Sequence, residues 1–274
     1  MNLSLYIAKR YLFSKKSHNA INIISGISAC GVAFATLALV CTLSVFNGFQ
    51  ELVAGLFTAF DPELKITATQ GKRFNSQDSL ILQIRNIPEV EVSTLSIEEN
   101  ALIQYKGRQA VVTIKGIEDN FQQLTQIDSI LYGYGKFMLY DEIVDYGIFG
   151  MQLTSTLGTG LRPIDPIEVY APKRGQAVNM ANPTNSFKKD YLFSPGVVFA
   201  VNQEKYDGTY VLTSLDFARR LFDCNTEITS LEVKLKEGTN IEQVQREIQE
   251  LLGGDYRVQN RYEQQADVFR IMEI

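Results

Sequence analysis

The chain has 274 residues, 26 basic against 31 acidic side chains for a net charge of -5, and 45% hydrophobic residues. That acidic balance argues against a nucleic-acid partner, and a single histidine, His18, with three scattered cysteines cannot assemble a zinc set. No G-x-x-x-x-G-K-S/T loop occurs, so the chain is not expected to cradle nucleotide phosphates in that way, and no cofactor is expected.

Residues 3 to 13, LSLYIAKRYLF, set Leu5, Ala8 and Leu12 against Lys9 and Arg10, with Tyr6, Tyr11 and Phe13 suited to a membrane interface. Residues 1–18 are therefore expected to form an amphipathic helix lying on the inner membrane surface. From Asn19 to Gln50 there is no charged side chain, and Ile21 to Phe46 is almost wholly apolar or small. At about 1.5 Å per residue, this stretch is long enough to cross a hydrocarbon core of about 30 Å. A transmembrane helix is expected over 19–46. A cleaved signal peptide would need a much shorter apolar run. A lipoprotein signal at Ile27-Ser28-Ala29-Cys30 would leave GVAFATLALVCTLSVF exposed to water. Ser25, Ala29 and Ala33 recur every four residues, a stripe that lets a second helix approach closely. Lys9, Arg10, Lys15 and Lys16 precede the span, whereas Glu51, Asp61 and Glu63 follow it, so the amino terminus is expected in the cytoplasm and the main domain outside it.

No turn separates the span from FNGFQELVAGLFTAF. Phe46, Phe49, Val53, Leu56, Phe57 and Phe60 keep helical spacing while Asn47, Gln50, Glu51 and Thr58 fall on other faces. A stalk helix over 47–60 is expected, and Gly48 and Gly55 each weaken it by about 1 kcal/mol relative to alanine, so its apolar stripe needs a partner. Residues 262–274 supply one, with Tyr262, Ala266, Phe269 and Met272 on one face. They read as a returning stalk leading to a second span. Phe49, Val53, Leu56 and Phe57 are expected to pack around Phe269.

Between the stalks, residues 63–69 alternate as a strand, a helix opens near Ser76 and closes before Pro88, and two strands near 91–105 and 109–116 flank a turn at Gly107. Leu231, Val233 and Leu235 alternate with Glu232, Lys234 and Lys236. Thr239-Asn240-Ile241-Glu242 offers a capping box for a helix to Leu252, stopped by Gly253-Gly254, before a strand at 256–260. The fold class is thus α+β: a split β-α-β, ferredoxin-like layer from 61–120 and 226–261, with an inserted α+β subdomain over 121–225. The insert is expected to hold helices at 121–130 and 143–157, strands at 167–170 and 196–201, and a helix opening at Ser214.

Catalytic chemistry is not expected. Gly26-Ile27-Ser28-Ala29-Cys30 lacks the last glycine of a nucleophile elbow, and Glu98-Glu99 and Asp141-Glu142 read as solvated surface. The segment APKRGQAVNMANPTNSFKKD, residues 171–190, collects Lys173, Arg174, Lys188 and Lys189 against Asp190 alone. Its prolines and glycine suggest a protruding loop, either a solvated connection or a docking element for an acidic partner or a lipid headgroup.

With YIAKRYL before the span, LSVFNGFQELV leaving it and the split α+β domain beyond, the chain resembles the permease subunits of lipoprotein-releasing ABC transporters, LolC and LolE, in the wider MacB and FtsX superfamily. The resemblance implies the amino-terminal part of a four-span, type VII permease working by mechanotransmission. It implies a porter-type split sheet, a cytoplasmic ATPase, a second permease subunit in a homo- or heterodimer, a lipoprotein substrate drawn from inner-membrane lipid, and a periplasmic lipoprotein chaperone. That chaperone would be recruited at about Lys173 to Ser194. The rival readings are an FtsX-like regulator passing the same motion to a periplasmic partner, and a singly anchored periplasmic binding module.

Overall fold

A computed structural model describes residues 20–56, 60–125, 127–175 and 186–264, together with Leu3, Tyr6, Ile7 and Arg10. Side chains of residues 20–22 and 49–56 lie outside that description, as do all of Phe57 and Phe269. Two units result, residues 1–57 and 58–274.

The first unit is dominated by α1, Ala20–Leu56, 37 residues without interruption. The helix passes through Phe46 and Asn47 with no change of backbone, as the uninterrupted pattern requires. Ile23–Gly48 is long and apolar enough to cross a membrane. Two of its hydroxyls bond within the helix: the Thr42 hydroxyl donates to the Ala38 carbonyl at 2.8 Å, and Thr36 donates likewise to Val32. Of the expected interfacial helix, Leu3, Tyr6, Ile7 and Arg10 are described, and they are helical and exposed.

The second unit runs in chain order β1 Leu64–Ala68, β2 Phe74–Asn75, α2 Ser79–Ile84, β3 Val90–Tyr105 and β4 Arg108–Ile117. Then come α3 Phe121–Leu124, a 3-10 turn Ile127–Ile130, β5 Leu131–Gly133, β6 Ile148–Gly150, α4 Met151–Leu157, β7 Ile167–Pro172 and β8 Phe187–Leu192. The chain continues through β9 Val197–Phe199, α5 Glu204–Asp207, β10 Tyr210–Ser214 and α6 Leu215–Phe222. It closes with β11 Glu227–Ile228, β12 Ser230–Leu235, α7 Ile241–Leu252, β13 Tyr256–Asn260 and α8 Arg261–Gln264.

The main sheet has the order β13-β1-β12-β3-β4-β10-β6-β9-β5, with β7 pairing β3 and β8. Neighbours among its first four strands are antiparallel, in the arrangement of the ferredoxin-like fold. Strands from 121–225 continue that sheet, because β10 pairs in parallel with β4 from Tyr210↔Thr113 to Ser214↔Ile117. Residues alternate between faces, so each face gathers its own core. Leu64, Ile66, Leu231, Val233, Leu95 and Ile97 belong to one apolar cluster, together with α2, α6 and α7 residues such as Ile84, Phe217 and Ile248. Ile117, Ile148 and Leu212 belong to a second, aromatic-rich cluster with Phe60, Phe121 and Phe199.

Local chemistry sets the boundaries. Lys106 and Gly107 have φ of 47° and 82°, both left-handed, which matches the twist of a two-residue hairpin between β3 and β4. The helix expected near Ser76 starts three residues later, at Ser79, because the Asp78 carboxylate accepts the Leu80 amide at 3.0 Å. Asn240 rather than Thr239 caps α7, accepting from the Gln243 amide at 3.1 Å. Ser214 caps α6 as expected, accepting from Phe217 at 3.1 Å.

Two helices come out shorter than the pattern suggests. Residues 121–130 divide into α3 and the 3-10 turn, with Thr125 extended at ψ 159° between them. Of 143–157 only α4 is helical. The Asp141 carboxylate accepts the amides of Ile143 and Val144, a turn that competes with helix, and Ile148–Gly150 joins β10 and β9 as β6.

Gly116 lets α6 lie directly on β4. A Cβ added there would sit 2.3 Å from Ala218 Cβ and 3.2 Å from the Ser214 carbonyl oxygen. Gly116→Ala is therefore expected to destabilise this domain by about 1–3 kcal/mol, read as a lowered midpoint in chemical denaturation. An unchanged midpoint would mean that α6 yields freely.

Candidate functional site

The first and last strands of the second unit lie side by side. β1 and β13 pair from Leu64↔Asn260 to Ala68↔Tyr256, so the segment entering the domain lies against the one leaving it. Side chains tie them further: Arg261 Nε donates to the Asp61 carbonyl at 3.1 Å, and Gln264 Nε2 donates to the Pro62 carbonyl at 3.2 Å. The entering segment is also locked to residues from 121–225. Phe60, 3% exposed, stacks on Tyr206 at 5.1 Å between ring centroids and packs on Phe199 at 4.7 Å. The Tyr206 hydroxyl donates to the buried Asp61 carboxylate at 2.9 Å. Burial, then the Asp61 charge and hydrogen bond, push the Tyr206 phenol well above its usual range, so it remains a donor at any physiological pH. Phe60 fits the helical stripe of the stalk by spacing, yet it is a core residue of this domain.

Beside this clamp, a cavity of about 210 Å³ is lined by Lys65, Glu98, Lys115, Tyr206, Tyr210 and Gln259, among others. Lys65, Glu98 and Lys115 of its wall belong to a chain of charges across four strands that ends at Glu232. Lys65 Nζ lies 3.3 Å from Glu98 Oε1, Glu98 Oε1 lies 2.9 Å from Lys115 Nζ, and Lys115 Nζ lies 2.6 Å from Glu232 Oε1. Lys115 is 2% exposed and Glu232 is fully buried. Burial alone would raise the Glu98 carboxyl, but Lys115 and Lys65 outweigh it and hold it far below the usual carboxylate range. Burial would likewise lower the Lys115 ammonium, but Glu232 and Glu98 drive it well above its usual value. The cluster is a quartet of two lysines and two glutamates, in which Lys115 bridges Glu98 and Glu232.

That quartet corrects the reading of Glu98 as solvated surface. The alternation in β12 is real, but its polar face is covered at Glu232, while Lys234 is half-buried and Lys236 beyond the strand is exposed. The misleading signal was local: period two marks which residues share a face, not whether that face is covered.

The remaining sequence-derived candidates are dispersed. Ser25, Ala29 and Ala33 form an exposed stripe on α1. Phe49, Val53 and Leu56 lie in α1 with their side chains outside the described residues, where Phe57 and Phe269 also fall. Lys173 and Arg174 follow β7 while Lys188 and Lys189 lie within β8, in a pairing that extends from Ile167↔Leu192 to Pro172↔Phe187. Three of these four cations face carboxylates of the domain itself: Arg174 with Glu227, Lys188 with Asp223, and Lys189 with Glu168 at 2.7 Å. Among the described residues, no cluster of histidine, cysteine and carboxylate side chains could hold a metal ion.

These features define a class: an α+β domain with a ferredoxin-like sheet, following an apolar helix long enough to span a membrane, its two ends clamped side by side. The family model for the MacB-like periplasmic core domain matches residues 25–251, and the chain belongs to that family. The lipoprotein-releasing system transmembrane protein LolC of Neisseria meningitidis serogroup B is 23% identical over 250 residues, which is 87% of this chain and 56% of that protein. LolE of Haemophilus influenzae is 24% identical over 121 residues, 43% of this chain and 29% of that one. The chain thus spans about half the length, or less, of the curated relatives it matches. The periplasmic region of MacB from Actinobacillus actinomycetemcomitans has the same fold, with a TM-score of 0.51 and 11% identity over 80% of this chain and 98% of that one.

Proposed function

We propose that this chain is the amino-terminal part of an ABC-transporter permease subunit that carries ATPase-driven motion outward and releases lipoproteins from the inner membrane. The amino terminus is cytoplasmic and the α+β domain periplasmic. ATP hydrolysis belongs to a separate cytoplasmic subunit, and a second permease subunit completes the pair. The observation that carries the reading is the clamp at Phe60, Asp61, Arg261 and Gln264. A domain whose two ends are bonded to each other and to its core takes up motion at those ends as one body, which a flexible tether could not transmit.

In this mechanism Phe49, Val53, Leu56 and Phe57 on the outgoing stalk pack against the returning one around Phe269. Ser25, Ala29 and Ala33 pack against another membrane helix. The β7–β8 hairpin receives the periplasmic lipoprotein chaperone. Arg174 and Lys188 brace that hairpin against the domain and Lys189 pairs with Glu168 within it, which leaves Lys173 as the cation of the four with no carboxylate partner among the described residues.

The test is reconstitution of the full-length permease and its ATPase in vesicles. Val53→Glu with Leu56→Glu, or Arg261→Ala with Gln264→Ala, is expected to leave ATP hydrolysis running while lipoprotein release falls about tenfold, a loss of about 1.4 kcal/mol of coupling. Unimpaired release in both double variants refutes the role.

A further inference from the structure

β13 is an edge strand of the main sheet, with β1 as its neighbour on one side. Its other side should present bare N–H and C=O groups, a template for any extended chain. Four of those groups are instead occupied by side chains of α7 and α8. Gln249 accepts the Val258 amide at 2.9 Å through Oε1 and donates to the Tyr256 carbonyl at 2.9 Å through Nε2. Gln245 Nε2 donates to the Val258 carbonyl at 3.0 Å, and Gln245 Oε1 accepts from Asn260 Nδ2 at 3.0 Å. Glu263 then takes the Asn260 amide at 3.0 Å.

A glutamine side chain ends in the same amide group as a peptide unit, so this pair reproduces the hydrogen bonding of an absent strand. The spacing is suited to it. Residues four apart on a helix rise about 6 Å, and residues two apart on a strand rise about 6.6–6.8 Å. One helical turn from Gln245 to Gln249 thus matches the repeat from Val258 to Tyr256.

We propose that Gln245 and Gln249 form a seal that denies the β13 edge to a second copy of this chain. The sequence of β13 makes a second copy the fitting occupant. Paired antiparallel about Val258, the strand YRVQN sets Tyr256 opposite Asn260, Arg257 opposite Gln259 and Val258 opposite itself. No like charges face each other, and the outward-facing groups of Tyr256, Val258 and Asn260 fall in hydrogen-bonding register. Without the seal this edge pairs with itself.

The experiment uses the full chain in detergent micelles, with Cys30, Cys41 and Cys224 changed to alanine and Arg257→Cys as the reporter. Residue 257 is exposed and would lie close to its counterpart across the two-fold pair. With Gln245→Leu and Gln249→Leu, covalent dimer formed by a short bismaleimide is expected to rise about tenfold, as an uncovered edge requires. An equal rise from a reporter at Ile143→Cys, exposed and remote in sequence, would show general aggregation and overturn the proposal. So would no rise in a leucine variant of unchanged circular dichroism. If the leucine pair fails to fold, Gln245→Glu with Gln249→Glu keeps side-chain shape but removes the donors to the Tyr256 and Val258 carbonyls. It is expected to give an intermediate rise, and its staying at background overturns the seal.

Discussion

Lys115→Met is expected to lower the unfolding free energy of the α+β domain by about 3–5 kcal/mol, measured by urea denaturation followed by circular dichroism. The methionine keeps most of the volume and the contact with Phe121, whose ring lies 5.6 Å from Lys115 Nζ. What it removes is the cation between two carboxylates. Glu98 still has Lys65 at 3.3 Å, but Glu232 is fully buried, and the Lys115 ammonium is its one ion-pair partner among the described residues. Its second oxygen, Oε2, has no protein hydrogen bond to fall back on. The double variant Lys115→Met with Glu232→Gln should therefore recover most of the loss, since an unpaired buried charge costs far more than a missing pair. A single variant within about 1 kcal/mol of the parent would show that water reaches Glu232, and the quartet would then be ornamental to stability.

The same quartet fixes a pH profile. Glu98 is held below the carboxylate range in the fold, so its contribution is fully present above its unfolded value, near pH 4.5, and is lost as pH falls toward the folded value. Lys115 is held above the lysine range, so its contribution is fully present below its unfolded value, near pH 10.5, and is lost as pH rises beyond it. Stability should be flat between those limits as far as this cluster is concerned, with an acid limb that is shallower in Lys115→Met because Glu98 then loses its stronger cation.

Much of this architecture is readable in one dimension because the physics that sets it is local. The hairpin at Lys106-Gly107 follows from the one residue type that enters left-handed backbone freely, and α7 announces itself through a cap at Asn240 and a stop at Gly253. The run of apolar residues in α1 needs no tertiary context. Where neighbours distant in sequence decide, the pattern misleads. Glu232 and Lys115 sit 117 residues apart and meet because β12 and β4 both flank β3. Residues 148–150 have apolar content compatible with helix, yet β10, some 60 residues later, offers ladder partners that win. Likewise the basic run at 171–190 reads as free charge until Glu168, Asp223 and Glu227 are seen beside it.

Phe60→Ala is expected to be the most damaging single change where the chain enters this domain, costing about 3–5 kcal/mol through the cavity left behind. The ring touches three aromatic neighbours, stacking on Tyr206, tilting on Phe199 and meeting Tyr210 edge-on at 6.2 Å. It cannot collapse cheaply, because Tyr206 is also held by Asp61 and Phe199 belongs to β9, which pairs with both β5 and β6. Phe60→Leu separates packing from coupling. It keeps most of the apolar volume and should cost less than about 1.5 kcal/mol, while removing the stacking between residue 60 and Tyr206. If motion enters the domain through that stack, the leucine variant folds, supports ATP hydrolysis in the reconstituted permease, and still releases less lipoprotein per ATP. If its release per ATP equals that of the parent while the alanine variant merely unfolds, Phe60 is a core residue and nothing more. The hydrogen bonds from Arg261 and Gln264 would then have to carry the coupling alone.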